Sequence, residues 1–154
     1  MNAYSLLRLF HAYWRWVVVI LAVIVLVRAL AGVMAQRRWG RSDDRAIRLF
    51  SSALDLQVLL GLILYFFFSP FWTATRQAFG ETMRNPVARF YGVEHGVMAL
   101  IVAAVAHIGF VRAKRAQNDR AKYGLVATTM VVAFVLLLWA IPWPWRGVGR
   151  PFFP

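Results

Sequence analysis

The sequence predicts an all-α membrane protein, a single-domain bundle of four transmembrane helices over residues 1–154. Hydrophobic residues make up 61% of the 154 residues. They are concentrated in four long blocks, and short basic loops separate the blocks. A soluble domain of this length cannot bury so much apolar surface, whereas apolar blocks of about 20 residues cross hydrocarbon as helices.

The four blocks place the spans at about 9–35, 49–69, 89–111 and 124–141. None shows the alternation with period two that a membrane β-barrel would require. The first span also has features of a signal peptide, because Ala29-Leu30-Ala31 resembles a cleavage site. Arg28 lies beside that site and argues against cleavage, so we expect the first span to be retained.

Polar residues and prolines mark the ends of the later helices. Asp43-Asp44 predicts a cap at the start of the second helix, because Asp oxygens accept bonds from free N–H groups there. Asn85-Pro86 predicts a turn before the third. Pro142 and Pro144 are expected to end the fourth.

The charge distribution predicts the partners and the orientation. The chain has 18 Lys and Arg, 6 Asp and Glu, and a net charge of +12. Ten of the basic residues lie in two loops, 36–48 and 112–123. This clustering is typical of cytoplasmic loops facing anionic lipid, not of nucleic-acid binding. We therefore expect the lipid bilayer as partner, no nucleic acid, and both termini on the outer side.

Ionisable side chains inside the spans are costly in lipid, so they are expected to face the bundle interior and to have partners. Helical rise sorts them into two levels. The outer group contains His11, Arg15, Glu94 and His95, and the inner group contains Arg28, Asp55 and His107. His107 lies twelve residues beyond His95, or about 18 Å along one helix, so these two histidines cannot share a ligand.

The outer group predicts a site for one b-type haem. Such a haem needs axial imidazoles from facing helices, and His11 and His95 lie on different helices at similar depth. Arg15, one turn from His11, is suited to a haem propionate. Gly92 and Gly96 would leave room for the macrocycle.

Other interpretations of both groups stay open. A buried Arg15–Glu94 ion pair and two hydrogen-bonded histidines could simply hold helices together, or the site could take a quinone or a metal. Asp55 and His107 are expected to pair across the second and third helices. That pair is either a packing contact or a quinone or proton-relay site.

Several classes of activity lack support in the sequence. The chain has no cysteine, which excludes disulfides, iron–sulfur clusters and covalent c-type haem. It has no nucleotide-binding loop, zinc-protease motif or hydrolase signature. We expect no independent catalytic activity.

Five short segments resemble a family of small four-helix bacterial membrane proteins that are labelled cytochrome b-like. The segments are His11–Trp16, Asp55–Gln57 with Gly61–Tyr65, Glu94-His95, His107–Gly109 and Ile141–Pro144. The resemblance implies a haem or electron-transfer association with His11 and His95 as the matched residues, and a multi-pass protein of the bacterial inner membrane. Without an extramembrane domain, the chain is expected to be a small subunit of a larger respiratory or photosynthetic membrane complex.

Overall fold

The structure is a computed structural model that describes residues 2–152. Within these residues the chain forms six helices and no strands. The helices are α1 (Ala3–Met34), α2 (Arg41–Phe68), α3 (Pro70–Gln77), α4 (Phe79–Arg84), α5 (Pro86–Lys114) and α6 (Asp119–Ala140). Four of them, α1, α2, α5 and α6, are long and apolar enough to cross a membrane.

The four long helices form a closed ring of neighbours. α1 packs against α2 and α6, and α5 packs against the same two helices. Consecutive helices run antiparallel, so α1 and α5 stand diagonally across the bundle. This order, which hydropathy alone does not supply, brings residues of α1 and α5 together in the interior.

The helices are longer than the predicted apolar spans, because capped polar turns extend them beyond the hydrocarbon. Asn2, Asn85 and Asn118 each accept a hydrogen bond from a backbone N–H of the first turn, as side chains at helix starts commonly do. α2 begins at Arg41, with Gly40 as its cap. Asp43 bonds back to the Gly40 N–H at 3.0 Å, which confirms the predicted cap.

The predicted turn before the third span and the predicted end of the fourth span are also confirmed. Asn85 lies at the turn before α5. α6 ends at Ala140, directly before Ile141-Pro142. The connection after α2 is not a loop, because Ser69 caps α3 and α4 follows after one residue.

The core follows the bundle axis and is built of small and medium apolar side chains. Its fully buried members include Val18, Ala22, Phe50, Val102 and Met130. Large apolar side chains such as Ile20 and Val135 are 59% exposed on the outside. A surface this apolar is suited to hydrocarbon, so the chain is a multi-pass membrane protein.

Two segments of the long helices are π-helical. They are Leu64–Phe68 at the end of α2 and Phe90–Glu94 in α5. π-turns are rare and occur frequently at functional sites. The second one ends directly before His95.

Candidate functional site

The two histidines that were predicted to face each other lie together inside the bundle. The imidazole rings of His11 on α1 and His95 on α5 have centroids 6.3 Å apart and planes at 80°. Because α1 and α5 are diagonal partners, the rings meet in the interior and not on the lipid-facing surface.

The end of α6 fixes the tautomer of His95. Its Nδ1 lies 2.9 Å from the carbonyl oxygen of Ala140. That carbonyl has no intrahelical partner, because the donor four residues on would be Pro144, which has no N–H. A carbonyl only accepts hydrogen bonds, so Nδ1 of His95 carries the proton and Nε2 keeps a free lone pair.

His11 has one contacted and one uncontacted ring nitrogen. The amide nitrogen of Gln57 lies 3.3 Å from His11 Nε2 and donates a 3.2 Å bond to the His11 carbonyl oxygen. His11 Nδ1 is buried and has no hydrogen-bond partner. Gly61 supports the ring from α2, since a Cβ there would lie 3.1 Å from His11 Cε1.

Aromatic rings flank His95. The centroids of Phe90 and Tyr91 lie 5.7 and 6.4 Å from its ring. The Tyr91 hydroxyl donates a 2.7 Å bond to the carbonyl of Val148, and Tyr65 donates to the carbonyl of Gly92. Both bonds hold the π-turn that precedes His95.

The glycines beside His95 differ from the prediction that both leave open space. A Cβ on Gly96 would meet nothing within 4 Å. A Cβ on Gly92 would overlap Thr75 of α3, which packs against the π-turn. The prediction is therefore wrong for Gly92, because the connection after α2 folds as helices and covers it.

The Arg15–Glu94 ion pair of the structural alternative does not form. Glu94 pairs with Arg89 at 2.7 Å. Arg15 donates a 2.7 Å bond to the carbonyl of Phe152, and its buried Nε has no hydrogen-bond partner. Arg15 thus stays beside His11, while Glu94 points towards the edge of the bundle.

The predicted inner group divides into two sites. His107 Nε2 lies 2.7 Å from Asp55 Oδ1, so this pair is confirmed. Arg28 is not part of it, because Arg28 pairs with Asp43 at 2.7 Å. Asp43 also accepts a 2.8 Å bond from the Tyr123 hydroxyl. Sequence reasoning missed this role of Asp43 because it explained the residue as a cap.

The Asp55–His107 pair lies on the outside of the bundle. The side chains are 54% and 47% exposed. Two polar side chains on the surface of apolar helices are costly against hydrocarbon unless something polar covers them.

Two imidazoles on facing helices are the residues that would hold a b-type haem in a helical bundle. If two imidazoles held one metal ion in a straight line, with bonds of about 2.0–2.1 Å, their ring centroids would lie slightly more than 6 Å apart. The observed centroid separation is 6.3 Å. His95 offers Nε2 as a ligand nitrogen. His11 Nε2 accepts from the Gln57 amide, so the unpartnered Nδ1 carries the proton, and His11 would offer Nε2 to a metal only on release from Gln57.

Other metal chemistry has less support. Across residues 2–152, no group of three or more His, Asp or Glu side chains could hold a metal ion. A metal held only by protein ligands normally has three or four of them. Two histidines are sufficient where a macrocycle supplies the remaining ligands.

Fold and site together define a multi-pass α-helical membrane protein with a pair of imidazoles in its interior. No family model, curated protein or solved structure matches the chain. The resemblance to cytochrome b-like membrane proteins therefore stays a prediction.

Proposed function

We propose that this protein is a small electron-transfer subunit of a respiratory or photosynthetic membrane complex, with one b-type haem held between His11 and His95. The observation that carries the proposal is the pair of imidazoles on diagonal helices with their centroids 6.3 Å apart. A bound haem would supply reversible one-electron transfer.

The chain's own residues would orient and shield the group. The Ala140 carbonyl accepts from Nδ1 of His95 and would leave Nε2 available as the ligand nitrogen; such outer partners of ligating histidines orient the ring and raise its basicity. Gln57 holds His11 from α2. Phe90 and Tyr91 exclude water from one side. The unpartnered Nε of Arg15 is available to a propionate.

A haem-free structural or assembly subunit is the main alternative. In that role the histidines would act only as interhelical hydrogen-bonding groups. The buried N–H at Nδ1 of His11 has no partner, which favours a bound ligand over a purely structural role, because a side chain present for structure alone should have its buried polar atoms satisfied.

Haem titration of the purified protein in mild detergent tests the proposal. The chain has three histidines, so His107→Ala is a matched control for His11→Ala and His95→Ala. We expect the wild type and His107→Ala to bind one haem, and each of the other variants to lose the six-coordinate spectrum. If the wild type remained folded by circular dichroism but took up no haem, the haem proposal would be contradicted and the haem-free structural subunit would be the remaining interpretation.

The exposed Asp55–His107 pair supports the proposed membership of a larger complex. A neighbouring membrane subunit that covers α2 and α5 would remove both side chains from lipid. The same pair is also the candidate quinone or proton-relay site. Asp55→Asn separates these roles, because a relay needs the ionisable carboxyl, whereas a packing contact tolerates the amide.

We further propose the bacterial inner membrane, with the loops 36–48 and 112–123 in the cytoplasm and both termini outside. The proposal rests on the excess of Lys and Arg in those loops.

A further inference from the structure

A second candidate site lies at the opposite end of the bundle from the histidines. A cavity of about 120 Å³ opens there between α2, α5 and α6. One water needs about 10–15 Å³, so a group of phosphate size can enter. The cavity is lined by Trp39, Asp44, Ile47, Arg48, Phe110, Ala113, Lys114 and Lys122.

Three cationic side chains converge on this cavity from three different helices. Arg48 belongs to α2, Lys114 is the last residue of α5, and Lys122 lies in the first turn of α6. None of the three side chains has an ion pair or hydrogen bond to another of the residues 2–152. The single lining carboxylate, Asp44, is engaged by Trp39 Nε1 at 2.9 Å. The cavity therefore has an excess of unpaired positive charge.

The position of the cavity indicates where its ligand comes from. Lys114 and Lys122 lie at the ends of their membrane-spanning helices, and Arg48 lies in the second turn of α2. This is the level at which lipid phosphates are found. The remaining lining is apolar, chiefly Ile47, Phe110 and Ala113. Basic side chains beside an apolar lining suit an amphiphile better than a free anion.

We propose that this cavity binds the phosphate of an anionic phospholipid, with Arg48, Lys114 and Lys122 around the headgroup and the glycerol end against Phe110. Basic pockets between transmembrane helices on the cytoplasmic side bind anionic lipid headgroups in this way. The site is independent of the histidine pair, so its test and the haem test fail separately.

Native mass spectrometry of the purified full-length protein tests the proposal with three probes: phosphatidylglycerol, phosphatidylcholine and inorganic phosphate. The variant Lys114→Gln/Lys122→Gln removes two cations from the cavity. The control Arg115→Gln/Arg120→Gln removes the same charge from the same loop, but neither of its residues lines the cavity.

We expect the wild type to retain phosphatidylglycerol in preference to phosphatidylcholine. The cavity variant should lose about 30-fold in affinity for phosphatidylglycerol, the ratio that corresponds to two contacts of about 1 kcal/mol each. The control should lose much less, and Lys114→Arg/Lys122→Arg should restore binding. If both double variants lost the same affinity for phosphatidylglycerol, binding would depend only on the net charge of the loop, and the proposal would be overturned. Displacement of the lipid by millimolar phosphate would instead assign the cavity to a free anion, and equal retention of both lipids would exclude it as a headgroup site.

Discussion

The ring of Tyr123 on α6 lies directly over Gly32 on α1, and its hydroxyl donates a 2.8 Å bond to Asp43 on α2. Arg28 pairs with the same carboxylate at 2.7 Å. One aromatic ring and one carboxylate therefore connect three helices at the end of the bundle away from the histidines. The contact depends on the absence of a side chain at residue 32.

Gly32→Ala should destabilise the bundle by about 1–3 kcal/mol, the usual cost of overpacking. A methyl group there would overlap the Tyr123 ring, and the bond to Asp43 prevents the ring from moving away. Thermal unfolding in detergent measures the effect. Gly124→Ala is the matched control, since a Cβ at Gly124 meets nothing within 4 Å. Equal midpoints for the two variants would show that the Tyr123 contact does not constrain α1.

Gln57→Leu should weaken haem binding by about 10- to 100-fold without abolishing it, the usual effect of removing an outer partner of a metal ligand. Gln57 donates to the carbonyl oxygen of His11 and so holds this turn of α1 against α2. The measurement is haem affinity by titration, with Gln77→Leu at the end of α3 as control. Unchanged affinity in Gln57→Leu would mean that the amide does not position His11.

The face of α2 around Asp55 should be covered in the native membrane. The chain has no cysteine, so Ser52→Cys, one turn from Asp55, places a single thiol on this face. We expect it to react more slowly with a lipid-soluble maleimide in native membranes than in detergent. Val135→Cys, on the exposed apolar surface of α6, should react equally in both. If Ser52→Cys reacted at the same rate in native membranes and in detergent, the face around Asp55 would be exposed to lipid and not covered.

The orientation of the chain can be tested on the same cysteine-free background. Gln117→Cys lies in the loop between α5 and α6, and Gly80→Cys lies in α4, where a Cβ has open space around it. In intact cells an impermeant maleimide should label Gly80→Cys and not Gln117→Cys, because basic loops remain in the cytoplasm. The reverse pattern would invert the proposed topology.

Helical rise predicted two of the matched levels in the membrane but not that of Arg28, which pairs with Asp43, twelve residues before Asp55 on α2. His11 with His95, and Asp55 with His107, are at matched depths because each residue advances an α-helix by about 1.5 Å. Hydropathy likewise predicted the four spans, since long apolar blocks leave few alternatives.

The direction in which a side chain points around its helix was not predictable in the same way. Arg89 and Glu94 are five residues apart, a spacing that does not share a face in an α-helix. The π-turn at Phe90–Glu94 brings them together, with the N–H of His95 bonded to the carbonyl five residues earlier. Sequence periodicity gives no signal for a single π-turn, so the pairing of Glu94 with Arg89 could not be predicted.

The order of the helices around the bundle was also beyond the sequence. His11 meets His95 in the interior because α1 and α5 lie diagonally across the bundle, whereas depth alone predicted only that the two residues share a level. The role of Pro144, which leaves the Ala140 carbonyl free for His95, depends on that order as well. A proline four residues after the end of a helix can be assigned this role only when the helix that packs beside it is known.

The most direct test of the haem proposal is the reduced-minus-oxidised absorbance spectrum of the protein purified from cells with sufficient haem, recorded beside His95→Ala. We predict the bands of a six-coordinate low-spin b-type haem in the wild type and their loss in the variant. A wild type that is colourless, or a His95→Ala variant with an unchanged spectrum, would contradict ligation by His11 and His95.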